Sequence, residues 1–317
     1  MKIVYLIIAA LFALCYLLTY TGKWLYLGDI AANFPQYFII FGIPLFLAAF
    51  ISGNRLAAMV FIFIAVVEIL KLIPFYIKPE TPETAGEKIT IIQYNHYYLN
   101  RKGREVFEWM KSGADGADFV AIEEAVDEVA NELHMIKNIF PYQVTEVGET
   151  GRRNIVILSK LPILKSEMLN FRKEQYFFNH FYLKVELETP KKNKLTLFVT
   201  HLSSPYAPKP WEIRNLQLEN FAEEIARDTA QNKIAVGDIN VTANSIYFKK
   251  FIEVSGLNNS MLGQGFDGTW PSFVVPGFLR VGIDHLLYTG NIKILSRQTL
   301  PARGSDHLPV KFEVEVY

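Results

Sequence analysis

Hydrophobic positions along this chain fall into two regimes. Up to residue 77 they form long runs: IVYLIIAALFALCYLLTY over 3–20, YFIIFGIPLFLAAFIS over 37–52 and LAAMVFIFIAVVEILKLIPFYI over 56–77. A membrane-spanning helix needs roughly 20 apolar residues, so the first and third runs are long enough and the second is slightly short. None shows the polar face of a helix packed on a water-soluble core, which argues against a buried helical bundle. Three membrane helices are therefore expected. The alternative for the first run is a cleaved signal peptide, because Lys2 precedes it, but no small-x-small cleavage site follows and two more runs come after. Beyond residue 88 the runs shorten. ITIIQYN (89–95), DFVAIEE (118–124), NIVILSK (154–160), FYLKVELE (181–188), KLTLFVTHL (194–202), KIAVGDIN (233–240), VGIDHLLY (281–288) and LPVKFEVEV (308–316) read as strands. REVFEWMKSG (104–113) and IRNLQLENFAEEIARDT (213–229) have the spacing of amphipathic helices. Many strands with few helices predict two packed β-sheets with helices outside.

Between the regimes lies KPETPETAGEK, residues 78–88, whose prolines, glycine and mixed charge mark an exposed linker. The expected organisation is a membrane region over 1–77, a linker over 78–88 and a soluble region over 89–317. Glu68 and Lys71 interrupt the third apolar run. Three residues apart, they share a helix face and can pair. Charge within a membrane is often functional, but near the end of a span snorkelling or helix packing is the plainer reading. Met1, Lys2 and Arg55 on one side of the spans, against Lys23 and Lys78 on the other, favour an extracytoplasmic soluble region by a narrow margin. The only cysteine, Cys15, lies in the first run, so the soluble region tolerates an oxidising compartment without requiring one.

Charge narrows the partners. The first 87 residues hold Lys2, Lys23, Arg55, Lys71 and Lys78 against Asp29, Glu68, Glu80, Glu83 and Glu87. The whole chain is neutral, so the remainder is neutral too. A dedicated nucleic-acid binder shows a basic excess or stripe; neutrality argues mildly against tight non-specific binding and leaves room for an enzyme that holds one phosphate.

The chemistry sits at strand ends. In chain order these carry Asn95, Glu124, His201, Asp238 with Asn240, Asp284 with His285, and Asp306 with His307. The set offers hard oxygen ligands suited to Mg²⁺ or Mn²⁺ and imidazoles suited to proton transfer. There is no thiolate cluster, no HExxH, no P-loop and no GxSxG, so zinc proteolysis and Ser-His-Asp hydrolysis are not favoured. Each signal alone has a bland explanation: GDIN is a turn after a strand, and His96, His134 and His180 read as ordinary structural histidines. Their order along the chain is the specific feature.

In that order the segments IQYN, DFVAIEE, RRNIVILSKLPI, FVTHL, AVGDIN, GTWPSF, IDHLLY and SDHLPV resemble the endonuclease/exonuclease/phosphatase superfamily, the DNase I-like hydrolases. The resemblance covers residues 89–311, and three preceding spans are similar to membrane-attached bacterial members. Two departures are visible: Glu123 stands where the family usually has Gln, and GDIN replaces GDFN. The resemblance implies a four-layered α/β sandwich, two mixed β-sheets flanked by helices, here preceded by three transmembrane helices. It implies that Glu124, with Asn95 and Asp306 beside it, binds Mg²⁺ or Mn²⁺. His307 would transfer the proton and Asp284 would orient its ring. Asp238 would position the attacking water, and Asn240 and His201 would donate to phosphate oxygens. Glu123 is expected to point away into solvent. The implied activity is that of a membrane-anchored, metal-dependent phosphodiesterase or phosphatase, endonuclease-like, with a lipid or sphingomyelin head-group phosphodiesterase as the alternative. The implied partners are a phosphodiester (DNA or a lipid head group) and the membrane, with no stable protein partner. A non-catalytic binding module would require a broken constellation, and every expected position is filled. A transporter fails on span count and on the lack of paired repeats.

Overall fold

The computed structural model describes residues 2–78, 86–147, 154–171, 181–274 and 276–317. The greater part of the expected linker, Arg152 and Arg153 of the RRNIVILSKLPI segment, and His180 lie outside the described residues.

Four helices come first: α1 (Lys2–Leu18), α2 (Tyr26–Ala32), α3 (Pro35–Ile51) and α4 (Arg55–Leu72). The helical stretches Lys2–Thr21 and Arg55–Phe75 are long and apolar enough to cross a membrane. The expected middle span differs. It is α3, 17 residues starting at Pro35, preceded by α2 across a bend of 71°. The pair counts as a third crossing only if it is taken as one broken span. The break is local: Asn33 closes α2, and Pro35 fixes the first turn of α3 because its missing N–H is unneeded there. The helices meet over small residues, Ala49, Ala57 and Ala58, with Phe61, and turn Leu11, Leu14, Phe50 and Phe63 outward, exposed. Glu68 is buried and pairs with Lys71 at 2.6 Å, and that ammonium lies 3.4 Å from the Tyr16 hydroxyl on α1. The pair thus takes part in helix packing.

The rest of the chain is built from β1 (Glu87–Asn95), α5 (Gly103–Lys111), β2 (Phe119–Ala125), α6 (Asp127–Leu133), β3 (Tyr142–Glu146), β4 (Asn154–Ser159), β5 (Ile163–Asn170), β6 (Phe181–Glu188), β7 (Lys194–His201), α7 (Pro208–Arg227), β8 (Lys233–Asp238), α8 (Ile246–Ser255), β9 (Asn258–Asn259), β10 (Asp284–Tyr288), β11 (Ile292–Thr299) and β12 (Val310–Val316). One sheet runs β11-β12-β1-β2-β4-β3, the other β5-β6-β7-β8-β10-β9. In each, a single central pair is parallel, β1 with β2 and β7 with β8. Ile91, Phe119, Leu197, Val236 and Phe312 fill the space between the sheets. Burying each such side chain contributes about 1.5–3 kcal/mol. Val106, Trp109 and Met110 of α5, at the spacing of one helix face, cover the outer side of the first sheet with α6. Phe221 and Phe251 of α7 and α8 cover the second. The two mixed sheets flanked by helices therefore make four layers.

The N-terminal helices are docked on this sandwich. Asp29 of α2, fully buried, accepts hydrogen bonds from Trp211 Nε1 at 2.9 Å, from Ser245 Oγ and from the Arg214 guanidinium. Asn33 Oδ1 accepts from the Thr242 backbone N–H at 2.7 Å and from its hydroxyl at 2.8 Å. After α4, the carbonyls of Pro74 and Phe75 accept from the backbone N–H groups of Gly263 and Gly265.

Candidate active site

Both parallel pairs release their strand ends at the same edge of the sandwich. Asn95 and Glu124 arrive there from the first sheet, His201 and Asp238 from the second. Local backbone aims them. The pairing of β2 with β4 slips between Glu123 and Ala125, and Glu124 in that bulge has φ 53°, a left-handed conformation uncommon for a side-chain-bearing residue. The bulge turns Glu124 to the edge while Glu123 keeps its inward direction. Asn240 has the same φ, 53°, just past β8. Gly237 has φ 143°, and a Cβ there would lie 1.9 Å from the Thr200 carbonyl oxygen, so only glycine lets β8 run this close to β7.

The side chains converge. Asn95 Nδ2 donates to Asp238 Oδ2 at 3.0 Å and lies 3.5 Å from Glu124 Oε1. His201 Nε2 lies 3.3 Å from Glu124 Oε1 and 3.7 Å from Asp238 Oδ2. The Asn240 backbone N–H donates to Asp238 Oδ1 at 2.9 Å, and its side-chain amide donates to the Leu202 carbonyl at 2.9 Å. The turn before β12 is pinned by Ser305, whose hydroxyl donates to the Asn95 carbonyl at 2.6 Å and accepts from the His307 N–H at 3.0 Å. From that turn Asp306 and His307 take different directions. Asp306 Oδ2 accepts from Trp270 Nε1 at 3.0 Å. His307 Nδ1 meets Asp284 Oδ2 at 2.9 Å, and its Nε2 lies 3.5 Å from Asp238 Oδ2.

Electrostatics follow from burial. Burial alone would lower the His307 pKa, but the carboxylates of Asp284 and Asp238 reverse this and hold it up at about 10. Burial pushes Asp238 up to about 8 against the pull of His307. Burial also opposes ionisation of Asp284, yet the His307 imidazolium and the bonds to it win and hold this carboxyl low. The Asp284–His307 pair therefore stands as carboxylate and imidazolium.

Glu123 does not point into solvent as expected. It is fully buried, and its Oε2 accepts from Gln93 Nε2 at 2.7 Å, the same amide nitrogen that donates to Asp284 Oδ1 at 2.8 Å. In β2, side chains alternate between faces, and position 123 faces the interior between the sheets once the bulge has absorbed position 124. Burial, then the charge of Asp284, raises the Glu123 pKa well above the carboxylate range, so this carboxyl is neutral and resembles the amide the family usually places there.

Two groups could hold a metal ion. Glu124, Asn95 and Asp306 carry hard oxygen donors: Glu124 Oε2 accepts from the Tyr98 N–H and Asn95 Oδ1 from the Tyr97 N–H, both at 3.0 Å, and Asp306 Oδ1 is buried with no hydrogen-bond partner among the described residues. That orphaned oxygen and the donor chemistry fit Mg²⁺ or Mn²⁺. Asp238, Asp284 and His307 bring one ligand atom each within 4.8 Å of one another. Both oxygens of Asp284 are already engaged, by Gln93 and His307.

Around these groups lies a cavity of about 510 Å³. Its lining includes Glu124, His201, Asp238, Asn240, Asp306 and His307, and so unites six of the eight residues given roles in the sequence analysis. Asn95 and Asp284 stand behind them, buried. Sequence reasoning missed Gln93, Trp270 and Ser305, which lie in quoted segments but carry no charge. It also missed Tyr26, Ile30, Asn33 and Phe34 from the α2 side, which line the cavity although they fall between two apolar runs.

Known proteins match this arrangement. Residues 92–307 match the model of the endonuclease/exonuclease/phosphatase family. Among solved structures, an endonuclease/exonuclease/phosphatase from Beutenbergia cavernae is 16% identical with a TM-score of 0.58, covering 73% of this chain and 72% of that one. TDP2 of D. rerio, complexed with a single-strand DNA product, is 18% identical with a TM-score of 0.57, covering 72% and 99%. A mannosyl-6-phosphatase from Bacteroides thetaiotaomicron is 17% identical with a TM-score of 0.56, covering 71% and 99%. At these identities the likeness is one of fold. No curated protein sequence matches the chain. The family match spans well over half of the residues and the strand-end constellation falls in the family's order, so the chain belongs to the endonuclease/exonuclease/phosphatase family of phosphoester hydrolases.

Proposed function

We propose that this protein is a membrane-anchored, divalent-metal-dependent phosphodiesterase that works by in-line attack of water. The observation that carries the reading is the Asp284–His307 pair, 2.9 Å apart, with His307 Nε2 turned toward Asp238 in the cavity that also holds Glu124 and Asp306. Glu124, Asn95 and Asp306 hold the metal, Mg²⁺ or Mn²⁺. When bound, it offsets charge on the phosphate and orients it. Asp238 positions the water and accepts its proton; a carboxyl raised toward neutrality suits that task. The water oxygen bonds to phosphorus, and the bond from phosphorus to the leaving oxygen breaks. His307, held as imidazolium, gives its proton to that oxygen. Asp284 fixes the tautomer by taking Nδ1. Asn240 and His201 donate to the non-bridging oxygens.

The anchor in this reading crosses the membrane three times. Asn54 Nδ2, at the start of α4, donates to the Lys2 carbonyl, while Lys71, near its end, reaches Tyr16. Helices α1 and α4 therefore run in the same direction, and α3 returns between them over the same depth. With the N-terminus inside, the catalytic region faces outward.

The test uses the full chain in detergent with bis-p-nitrophenyl phosphate. Turnover with Mg²⁺ or Mn²⁺, abolished by EDTA and by His307→Ala, is expected. Turnover that survives either treatment would refute the assignment.

A further inference from the structure

We infer that the substrate is a phosphoester carried on a lipid tail, and that the α2 segment forms the wall against which the tail lies. This rests on the phosphodiesterase reading and narrows its substrate. The cavity is lined both by the polar Glu124, Asp238 and His307 and by apolar side chains. Ile30 and Phe34 come to that lining from the N-terminal helices, Val281 and Ile283 from the catalytic region. No lysine or arginine is among the described residues that line it. Proteins that track a nucleic-acid strand neutralise successive phosphates with a basic groove and stack successive bases. Here one phosphate meets one catalytic centre, and the flanking group meets hydrocarbon. That combination fits a single phosphoester with an apolar body.

The wall is built in, not a chance contact. Asp29 and Asn33, on the same segment as Ile30 and Phe34, are tied to Arg214, Trp211, Ser245 and Thr242. Tyr26 donates to the Pro205 carbonyl at 3.0 Å, next to Tyr206, which also lines the cavity. The surroundings are those of a membrane surface. Trp24 and Leu27, between α1 and α3, are 72% and 62% exposed. Tyr206 and Phe273, the latter beside the Ser272–Asp306 backbone bond, are 81% and 76% exposed. Exposed aromatic side chains at the end of an apolar helix bundle occupy the head-group level of a bilayer. A lipid phosphate lies at that level, and its acyl chains lead away into hydrocarbon.

The experiment compares four probes on the full chain in mixed micelles with Mg²⁺. They are phosphatidylglycerol and phosphatidylethanolamine with short acyl chains, their deacylated glycerophospho counterparts, a single-stranded oligonucleotide, and bis-p-nitrophenyl phosphate. The expected kcat/KM for the acylated esters exceeds that for the deacylated ones by at least about tenfold, the worth of a few buried methylenes. Ile30→Ser and Phe34→Ser each lower that ratio several-fold. The ratio is internal to each variant, so loss of folded protein does not imitate the effect. An acylated-to-deacylated ratio near one, a ratio unmoved by both variants, or an oligonucleotide turned over faster than the lipids would overturn the inference. Turnover of bis-p-nitrophenyl phosphate without turnover of lipid would sink the substrate class and leave the phosphodiesterase reading standing. Metal-independent silence toward all four probes would sink both.

Discussion

Two buried knots of charge lie close together in this molecule and differ in how completely they are satisfied. In the first, Asp29 is closed on every side: Ser245 occupies one oxygen, Trp211 and Arg214 the other, and Arg214 goes on to donate to the Asn240 carbonyl at 2.8 Å. In the second, Asp238, Asp306, Glu124 and His307 gather with one acceptor, Asp306 Oδ1, left over among the described residues. Burial is costly for both, because a charge out of water must be paired and hydrogen-bonded. The closed knot is a clamp. The open one has charge to spare for a cation and a substrate.

That contrast yields measurements in descending order of effect. Replacing His307 with alanine in the open knot should lower kcat on the order of 10³-fold while the thermal unfolding midpoint stays near that of the parent. Equal losses of activity and folded protein would make His307 a structural residue. In the closed knot the balance should invert. Asp29→Ala leaves the Arg214 guanidinium buried without its carboxylate, a change that costs about 3–5 kcal/mol. The expected result is a marked fall in the unfolding midpoint of the full chain, with activity falling alongside it because Arg214 holds the Asn240 backbone. An unchanged midpoint would show that the N-terminal helices do not depend on the clamp.

A smaller effect comes from His285, which is fully buried, meets the Val241 carbonyl at 2.8 Å and lies over Phe248. Burial lowers its pKa to about 4 from an ordinary value of 6.5. The unfolded chain therefore takes up a proton there before the folded protein does. The stability this neutral ring contributes is intact above pH 6.5 and is lost as pH falls toward 4, by about 3 kcal/mol. Unfolding curves across that window should show the loss, and His285→Gln should flatten it. The smallest effect is expected of Glu123→Gln. Because the buried carboxyl is already neutral, the substitution should change kcat/KM by no more than about threefold. A loss of a hundredfold would make Glu123 an ionised participant in the open knot.

The legible parts of the sequence were those where burial leaves a simple mark. The strands read from the sequence are β1, β2, β4, β6, β7, β8, β10 and β12, which hold every interior position of the two sheets. Those missed, β3, β5, β9 and β11, are the four edges. An edge strand such as ILKSEMLN keeps one side in water, so its apolar run is broken by Lys165, Ser166 and Glu167 and loses contrast with a loop. Helix α7 was legible over its amphipathic face but begins at Pro208, five residues before the expected start, because a proline at the first turn reads as a breaker and serves as an initiator. The candidate site residues were visible because charge at the end of an apolar strand is conspicuous. Glu123 was misjudged although alternation with Phe119 and Ala121 already points it inward; only Glu124, in the bulge, leaves that pattern. The α2 wall left no mark at all. Asp29 and Asn33 look like ordinary loop residues until partners more than 180 residues away are brought to them.

Those sequence separations bear on the order in which the protein is made. Asp29 and its partners Trp211, Arg214 and Ser245 are 182, 185 and 216 positions apart. When the apolar helices leave the ribosome, the groups that satisfy α2 do not yet exist, and its polar side chains must find other partners. Loop closure over such distances is slow to begin and is completed only after the second sheet has formed. A segment synthesised before either sheet is thus among the last to reach its final contacts, and completion of the cavity coincides with completion of the fold.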